Sequence, residues 1–244
     1  MKIIIYAAGQ NRRFNSNIQG LPKGLMKVGN RRLIEYGLSR LSKYKPEEII
    51  IVVGYKAEMF KQHLGNSYQD IKIRYVFNEH YELRGNMSSL WVARDYCDTD
   101  VIFTVSDLIC SERNIDLFMR APFADKILVD GDPKYFSDPD PVKVVINDGH
   151  IRTVLKDVPE NNVSGVAIGI YKLSKEKISQ LIDEIRVYME SDCFDFALYY
   201  AIDKLSRKVE INPVFCEESF WFDIDTAKEL KKAEEDLEKG LRKE

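Results

Sequence analysis

Ile3-Ile4-Ile5-Tyr6-Ala7-Ala8-Gly9 is the stretch from which the fold can be read first. Its short, β-branched apolar run is typical of a buried strand in a parallel sheet. The strand runs into three small residues, where a ligand can lie directly against the backbone and glycine permits a tight turn. Two cations, Arg13 and Lys23, follow. Because bare amides and cations both offer positive charge to phosphate oxygens, the stretch predicts a polyphosphate-binding loop.

Two common phosphate-binding motifs do not account for this loop. The P-loop requires Gly-x-x-x-x-Gly-Lys-Ser/Thr, which does not occur here, and the dinucleotide fingerprint requires three glycines, of which only Gly9 is present. The alternative that remains open is an ordinary strand and loop with scattered surface cations.

The composition indicates a globular protein of the cytoplasm. The 244 residues allow one large α/β domain or two small ones, and 45% of them are hydrophobic while 31% are charged. A net charge of −3 gives no general attraction for nucleic acid, and no apolar run approaches the roughly 20 residues of a membrane span. The N-terminus has no signal-peptide pattern, and the dispersed cysteines and histidines predict neither disulfides nor a zinc site.

Strand and helix patterns alternate along the first half of the chain. This order predicts a doubly wound, Rossmann-like α/β fold, with a mixed, mostly parallel sheet and helices on both faces. The second half predicts a small β-rich insertion over the acceptor site, with a hairpin at Asn147-Asp148-Gly149, then helices at Ser174 to Glu190 and Asp192 to Lys204. Ligands of such sheets bind at the carboxyl ends of the strands, where the Gly9 loop, Gly54 and Asn78 are expected.

The first 27 residues resemble the signature of the sugar-nucleotidyltransferase superfamily, an apolar strand followed by Ala-Ala-Gly-x-Gly-x-Arg and then Pro-Lys. The matching residues are Ala7, Ala8, Gly9, Arg13, Pro22 and Lys23. Asn11 stands where the family usually has its second glycine, and asparagine tolerates the left-handed backbone region well. The resemblance implies that Arg13 holds the β- and γ-phosphates of a nucleotide and that Lys23 lies by the α-phosphate, both as catalytic residues.

A second segment resembles the base-side segment of bacterial CTP:phosphocholine cytidylyltransferases and related CTP-using enzymes. The matching residues are Asn78, Tyr81, Asn86, Ser89 and Leu90. For Ser88 the competing interpretation is a helix N-cap. The resemblance implies a nucleotide-binding set made of Ala7, Ala8, Gly9, Gln10, Asn11, Gly54, Asn78, Tyr81, Asn86, Ser88, Ser89 and Ser106.

Two aspartates are predicted to bind Mg²⁺. Asp107 follows the strand Val101 to Val105 where this superfamily keeps a metal-binding aspartate, and Asp225 matches the aspartate of the Ile-Asp-Thr motif, with Asp223 nearby. The competing interpretations are an Asx turn at Asp107 and a capping box of Thr226 with Glu229.

The acceptor-binding candidates come from the second half. The resemblance implies that Lys143 and Lys156 face the phosphates or the acceptor, unless they are only solvated, and Trp221 is a further candidate. Glu190, Asp192 and Asp195 form an acidic patch with two possible roles. The carboxylates bind a cationic head group of the acceptor, or they lie at the start of a helix, where the helix dipole favours negative charge.

These features predict a cytidylyltransferase that moves CMP from CTP to a small phosphomonoester or phosphonate, with Mg²⁺ as cofactor. Phosphocholine leads among acceptors, ahead of aminoethylphosphonate, phosphoglutamine-type and inositol-phosphate acceptors, and the products would feed surface polysaccharide or lipid decoration. The alternatives are a nucleotide-sugar pyrophosphorylase using UTP or dTTP and a non-catalytic nucleotide-binding regulator. We expect one domain over residues 1–244, with a nucleotide-binding half at 1–120, an acceptor-binding half at 121–230 and a C-terminal helix at 226–244. The expected partners are CTP and a small phosphorylated acceptor, with neither nucleic acid nor a membrane, and a homodimer is a possible assembly.

Overall fold

The computed structural model describes residues 1–10, 20–83, 85–218 and 220–241, without the side chains of residues 238–241. Strands and helices alternate through most of this length. The strands are β1 (Lys2–Ala7), β2 (Lys27–Val28), β3 (Arg31–Arg32), β4 (Ile49–Val53), β5 (Ser67–Tyr68), β6 (Ile71–Phe77), β7 (Val101–Val105), β8 (Leu108–Cys110), β9 (Lys126–Asp130), β10 (Val142–Asn147), β11 (His150–Leu155), β12 (Gly165–Leu173), β13 (Asn212–Phe215) and β14 (Trp221–Asp223). The α-helices are α1 (Leu33–Leu41), α2 (Ala57–Leu64), α3 (Met87–Val92), α4 (Glu112–Arg120), α5 (Lys175–Met189), α6 (Tyr199–Ser206) and α7 (Ala227–Leu241).

The central sheet has the order β11-β10-β12-β7-β1-β4-β6-β5, and β9 pairs with both β12 and β13. Strand β1 lies in the middle and runs parallel to β4 and β7, while β12 runs antiparallel to β7. The parallel strands therefore end at one common edge of the sheet. The predicted doubly wound fold with a mixed, mostly parallel sheet is confirmed.

Both faces of β1 are buried, as its continuous apolar run predicted. Ile4 and Tyr6 face a core that includes side chains of α3, α5 and α6, whereas Ile3 and Ile5 face a second core with α1, α2 and α4. Each of these side chains is at most 7% exposed. Burial on two faces leaves no room for polar residues, so the chemistry is confined to the strand ends.

The second half agrees with the prediction at its hairpin but not at one of its helices. Asp148 and Gly149 have φ angles of 51° and 79°, which the tight turn between β10 and β11 requires. The helix predicted from Asp192 to Lys204 was wrong, because α6 begins only at Tyr199. Asp192 has a left-handed φ of 54°, which helical backbone does not adopt, and the following residues lie against the loop before α3.

Within the described parts of the chain, none of the helices is both long enough and apolar enough to cross a membrane.

Candidate functional site

A cavity of about 760 Å³ opens at the carboxyl ends of β1, β6 and β7. Backbone hydrogen bonds fix the loops at this edge of the sheet. The Ser106 amide donates to the Tyr6 carbonyl at 3.0 Å, and the Tyr55 amide donates to the Ala8 carbonyl at 3.0 Å. Small residues after β1 therefore stay at the floor of the cavity. Gly9 is exposed, and among the described residues, apart from its chain neighbours, no atom lies within 4 Å of the position of an added Cβ.

Lys23 lies at the centre of this site, among three carboxylates. Its ammonium forms an ion pair with Asp107, a second one with Asp225 at 2.5 Å, and a longer one with Asp223 at 3.9 Å. The two most distant of these groups, Lys23 and Asp225, are 202 residues apart along the chain. Asp107 and Asp225 reach one cation on the same side of the sheet as Gly9, since all of them line the one cavity.

Short elements explain why these side chains meet. Strand β14 pairs antiparallel with β8, which sets Asp223 opposite Leu108 and brings the segment of Asp225 beside Asp107. The Ile224 amide also donates to the Asp107 carbonyl at 3.3 Å. On the other side, a 3-10 turn at Lys23–Leu25 packs against Ser106, and a Cβ on Gly24 would lie 2.9 Å from the Ser106 Cβ. Glycine is needed there so that Lys23 can approach Asp107.

The site carries more negative than positive charge. Burial by itself would lower the pKa of Lys23, but the three surrounding carboxylates raise it above its usual value. Desolvation, followed by repulsion from Asp107, raises the pKa of Asp223 to about 8, although about half of its side chain (52%) faces the open cavity. One ammonium thus opposes three carboxyl groups, so the cavity floor favours a further cation.

Most of the predicted nucleotide-binding residues lie on the wall of this cavity. Those that line it are Ala7, Ala8, Gly9, Gln10, Asn78, Tyr81, Asn86, Ser89 and Ser106. Asn78 is held rigidly, because its Nδ2 donates to the hydroxyls of Ser88 and Ser89 at 3.1 Å and its Oδ1 accepts from the His80 amide at 3.0 Å. Arg13 and Asn11 lie outside the described residues.

Two predicted nucleotide-binding residues are placed differently. Ser88 is fully buried and accepts a hydrogen bond from Asn78, so it supports the loop and does not face the cavity. Gly54 lines a separate cavity of about 540 Å³, beside Lys56, Tyr75 and Phe77. An added Cβ there would lie 2.2 Å from the Tyr81 Cβ and 2.8 Å from the Ala8 carbonyl oxygen, so Gly54 allows close packing behind the wall.

The acceptor-side candidates Lys156 and Trp221 also line the cavity, and their part of the wall is called the acceptor end below. Trp221 donates from its Nε1 to Asp130 at 2.7 Å, and its ring lies 5.1 Å from the ring of Tyr135. Lys156 pairs with Asp140 at 3.0 Å. This end therefore combines two aromatic rings with carboxylates and one lysine.

The other four acceptor-side candidates do not line this cavity. Lys143 is 2% exposed and donates to the carbonyls of Asp138 and Pro141, at 2.9 Å for Pro141, so it braces the loop in front of the cavity. The acidic patch does not line the cavity either, as its residues lie in the turns between α5 and α6; they are Glu190, Asp192 and Asp195. Asp195 instead accepts a hydrogen bond from the Gly85 amide at 3.0 Å.

The structure adds residues that the sequence did not single out as binding residues. Asp223, Tyr135, Asp138, Asp140 and Glu229 all line the cavity. Asp138 and Asp140 belong to the polar, proline-rich loop of residues 136–141, which is part of the insertion predicted over the acceptor site. Glu229 accepts from the amides of Asp225 and Thr226 at 2.8 Å, so the capping box is present and holds Asp225 in place.

No group of three or more His, Cys, Asp or Glu side chains forms a ready-made metal cluster in the described ranges. Asp107 and Asp225, which both pair with Lys23, are the carboxylates that could hold a hard cation. Mg²⁺ takes few protein carboxylates and completes its shell with waters and phosphate oxygens.

Three proteins illustrate what this chain is similar to. Choline-phosphate cytidylyltransferase of Streptococcus pneumoniae is 25% identical over 238 residues, covering 97% of this chain and 98% of that protein. UTP–glucose-1-phosphate uridylyltransferase of Haloferax volcanii is 27% identical over 120 residues, covering 49% of each chain. The solved structure of CTP:phosphocholine cytidylyltransferase from Streptococcus pneumoniae superposes with a TM-score of 0.75 at 20% identity, covering 97% of this chain and 98% of that one.

The chain spans less than half the length of several curated relatives that it matches. Its first half also matches a family model, that of the MobA-like NTP transferase domain, over residues 3–122. The resemblance to nucleotidyltransferases in the first 27 residues is thereby confirmed. Through residues 3–122, the chain belongs to the family of MobA-like NTP transferase domains.

Proposed function

We propose that the protein is a cytidylyltransferase, which transfers CMP from CTP to a small phosphorylated acceptor and releases pyrophosphate. The observation that carries this proposal is the convergence of Asp107 and Asp225 on the Lys23 ammonium, at the strand edge where Ala8 and Gly9 leave the backbone open. A triphosphate laid on this backbone would bring its phosphates to the one cation that both carboxylates share.

The chemistry requires positioning and charge neutralisation. The nucleophile is an acceptor phosphate or phosphonate oxygen that is already ionised, so the obstacle is repulsion between two anions and no strong base is needed. Lys23 supplies a fixed positive charge where negative charge builds at the α-phosphorus, and the neighbouring carboxylates keep it protonated. Arg13 is proposed to hold the departing pyrophosphate.

Mg²⁺ is proposed as the cofactor, with Asp107 and Asp225 as the residues that would hold it. When bound, it would supply Lewis-acid neutralisation of phosphate oxygens. The fit rests on the two carboxylates, Asp107 and Asp225, that share one ammonium in the cavity floor, an excess of negative charge that a divalent cation offsets. Asp223 is a third carboxyl group beside them, with a raised pKa, and a bound cation would favour its ionised form.

The acceptor end favours a small acceptor that carries a cationic group. The rings of Tyr135 and Trp221 pack against each other, with centroids 5.1 Å apart and an interplanar angle of 45°, and both line the cavity with Asp138 and Asp140. Aromatic faces and carboxylates together attract quaternary ammonium or amine groups. Lys156 would meet the phosphate of such an acceptor. Phosphocholine fits this combination, and the Streptococcus pneumoniae relative is named for choline phosphate.

A pyrophosphate-release assay tests the proposal. The protein is incubated with Mg²⁺ and each of CTP, UTP, dTTP, ATP and GTP, against phosphocholine, aminoethylphosphonate, inositol 1-phosphate and glucose 1-phosphate. We expect turnover with CTP and an aminated or methylated phospho-acceptor. Faster turnover with UTP or dTTP and a sugar 1-phosphate would replace this proposal with a nucleotide-sugar pyrophosphorylase.

That second function has one specific observation in its favour. The Haloferax volcanii relative, which matches half of this chain, is named as a UTP–glucose-1-phosphate uridylyltransferase. The variant D140N separates the two, since loss of the carboxylate should weaken a cationic acceptor and leave a sugar phosphate nearly unaffected.

A further inference from the structure

Asn86 makes an unusual contact for its position. It is the N-cap residue of α3, yet its side chain forms no capping hydrogen bond to that helix. Its Oδ1 instead accepts a hydrogen bond from the Leu198 amide at 2.7 Å, 112 residues further along the chain. A backbone amide can only donate, so this contact fixes the carbonyl oxygen of Asn86 towards Leu198.

This bond belongs to a set of contacts between two segments, the β6–α3 loop (residues 78–86) and the α5–α6 segment (residues 190–198). The Met87 amide donates to the Phe196 carbonyl at 3.1 Å, and the Gly85 amide donates to Asp195 at 3.0 Å. The rings of His80 and Phe194 stack at 3.9 Å with an interplanar angle of 13°. The two backbones touch so closely that a Cβ on Gly85 would lie 2.2 Å from the Phe196 carbonyl oxygen.

The two segments form neighbouring parts of the cavity wall. Tyr81 and Asn86 line it from the first segment and Ser89 from α3, while Ala197 and Leu198 line it from the second segment and Tyr199 from the start of α6. Helix α6 continues the connection, because Asp203 accepts from the Val154 amide at 3.0 Å. Val154 lies in β11, whose end leads directly to Lys156 at the acceptor side. A chain of packed contacts therefore joins the two ends of the cavity.

We propose that Asn86 is a positioning residue, which fastens the α5–α6 segment to the β6–α3 loop and so aligns the acceptor end of the cavity with the nucleotide end. Its carbonyl oxygen carries this role, and its Nδ2 does not serve as a donor to the base. The kinetic part of the test rests on the proposed function, whereas the contact itself does not.

Three variants separate the two roles. N86D keeps an oxygen that accepts from Leu198 but loses the amide donor, while N86A loses both. N86S keeps a residue favoured at a helix N-cap and is too short to reach Leu198, so it guards against misfolding of N86A. N147A, on the exposed turn between β10 and β11, is the matched control.

Amide hydrogen exchange of residues 194–198 and Michaelis constants for both substrates are measured on the full chain. In N86A and N86S we expect exchange at Leu198 to be about five to ten times faster, the effect of one net hydrogen bond, with a similar rise in the acceptor KM and an unchanged nucleotide KM. N147A should behave as the wild type in every quantity, and N86D should keep the wild-type exchange at Leu198.

Two results would overturn the proposal. If N86D matches N86A and both raise the nucleotide KM, the Nδ2 group contacts the nucleotide. If N86A leaves exchange at Leu198 unchanged, the side chain fastens nothing. Should the wild type turn over no nucleotide, the proposed function fails, and the exchange measurement on the unliganded variants still decides the role of Asn86.

Discussion

Replacing Lys23 with methionine, K23M, tests the charge balance of the cavity floor most directly. The substitution removes the only ammonium seen among the three carboxylates in the described residues and keeps a similar side-chain length. Asp107 and Asp225 then lose their shared partner and repel each other. Both the stability of the protein and its turnover should fall, for this one reason.

The size of the stability loss follows from exposure. Removing one partner of a fully buried ion pair costs about 3–5 kcal/mol. Here the side chains of Lys23 and Asp107 are each 16% exposed and that of Asp225 is 27% exposed, so water offsets part of the loss. A loss of about 1–3 kcal/mol corresponds to a Tm lower by roughly 2–12 °C for a chain of this size. Turnover should fall by about 10²–10³, as for removal of one preorganised electrostatic group.

Thermal unfolding with and without Mg²⁺ gives the sharper result. In the wild type the Lys23 ammonium competes with a metal for the same carboxylates, whereas in K23M it does not. Mg²⁺ should therefore raise the Tm of K23M by more than it raises that of the wild type. K27M, at an exposed position in β2, is the matched control and should change neither quantity. Equal Mg²⁺ shifts in K23M and the wild type would refute the shared-cation reasoning.

Three further substitutions have outcomes that the structure fixes. G54A should lower the Tm by several degrees, because its Cβ would overlap Tyr81, whereas G37A, in the open interior of α1, should raise the Tm slightly through helix propensity; calorimetry compares them. K143M should raise the acceptor KM about tenfold in initial-rate assays and leave the nucleotide KM unchanged, since the lysine braces the loop of residues 136–141 and does not contact the nucleotide side. Burial lowers the pKa of Lys126 to about 8, so the unfolded chain binds more protons between pH 8 and 10 and this lysine makes stability rise with pH there. As the pH is raised from 7 to 10, the Tm of the wild type should therefore rise relative to that of K126M. A difference in Tm that does not change with pH would contradict this.

The sequence was sufficient for the first half of the fold. The runs of Ile3 to Tyr6 and Ile49 to Val53 are apolar without alternation, which is possible only for strands covered on both faces, and both lie in the sheet centre. Once those strands are parallel, the residues after them must share an edge. The positions of Gly9, Asn78 and Asp107 around one cavity follow from that geometry.

Lysine placement could not be read in the same way. Lys143 and Lys156 have similar local sequences, each next to a β-strand pattern and near carboxylates. Only the folded loop decides that Lys143 turns inward to two carbonyl groups while Lys156 reaches the cavity. The helix predicted from Asp192 began too early for a related reason. Contacts with Gly85 and Asn86, more than 100 residues away, hold residues 194–198 in a non-helical turn segment that local propensity does not show.

The most consequential feature hidden from the sequence is the pairing of β8 with β14. Its strands have only three residues each, too short to be recognised, yet their register sets Asp223 opposite Leu108 and delivers Asp225 to Lys23. The residues that match the family model, 3–122, contain Lys23 and Asp107 but not Asp225 or Trp221. Two of the three carboxyl groups around Lys23, namely Asp223 and Asp225, thus come from the second half of the chain, as does the acceptor end. The last strand of that half, β14, pairs with β8 of the first half. A site assembled in this way holds its charges in place only when both halves are folded together, so the shared Lys23 contact links the integrity of the fold to the integrity of the site.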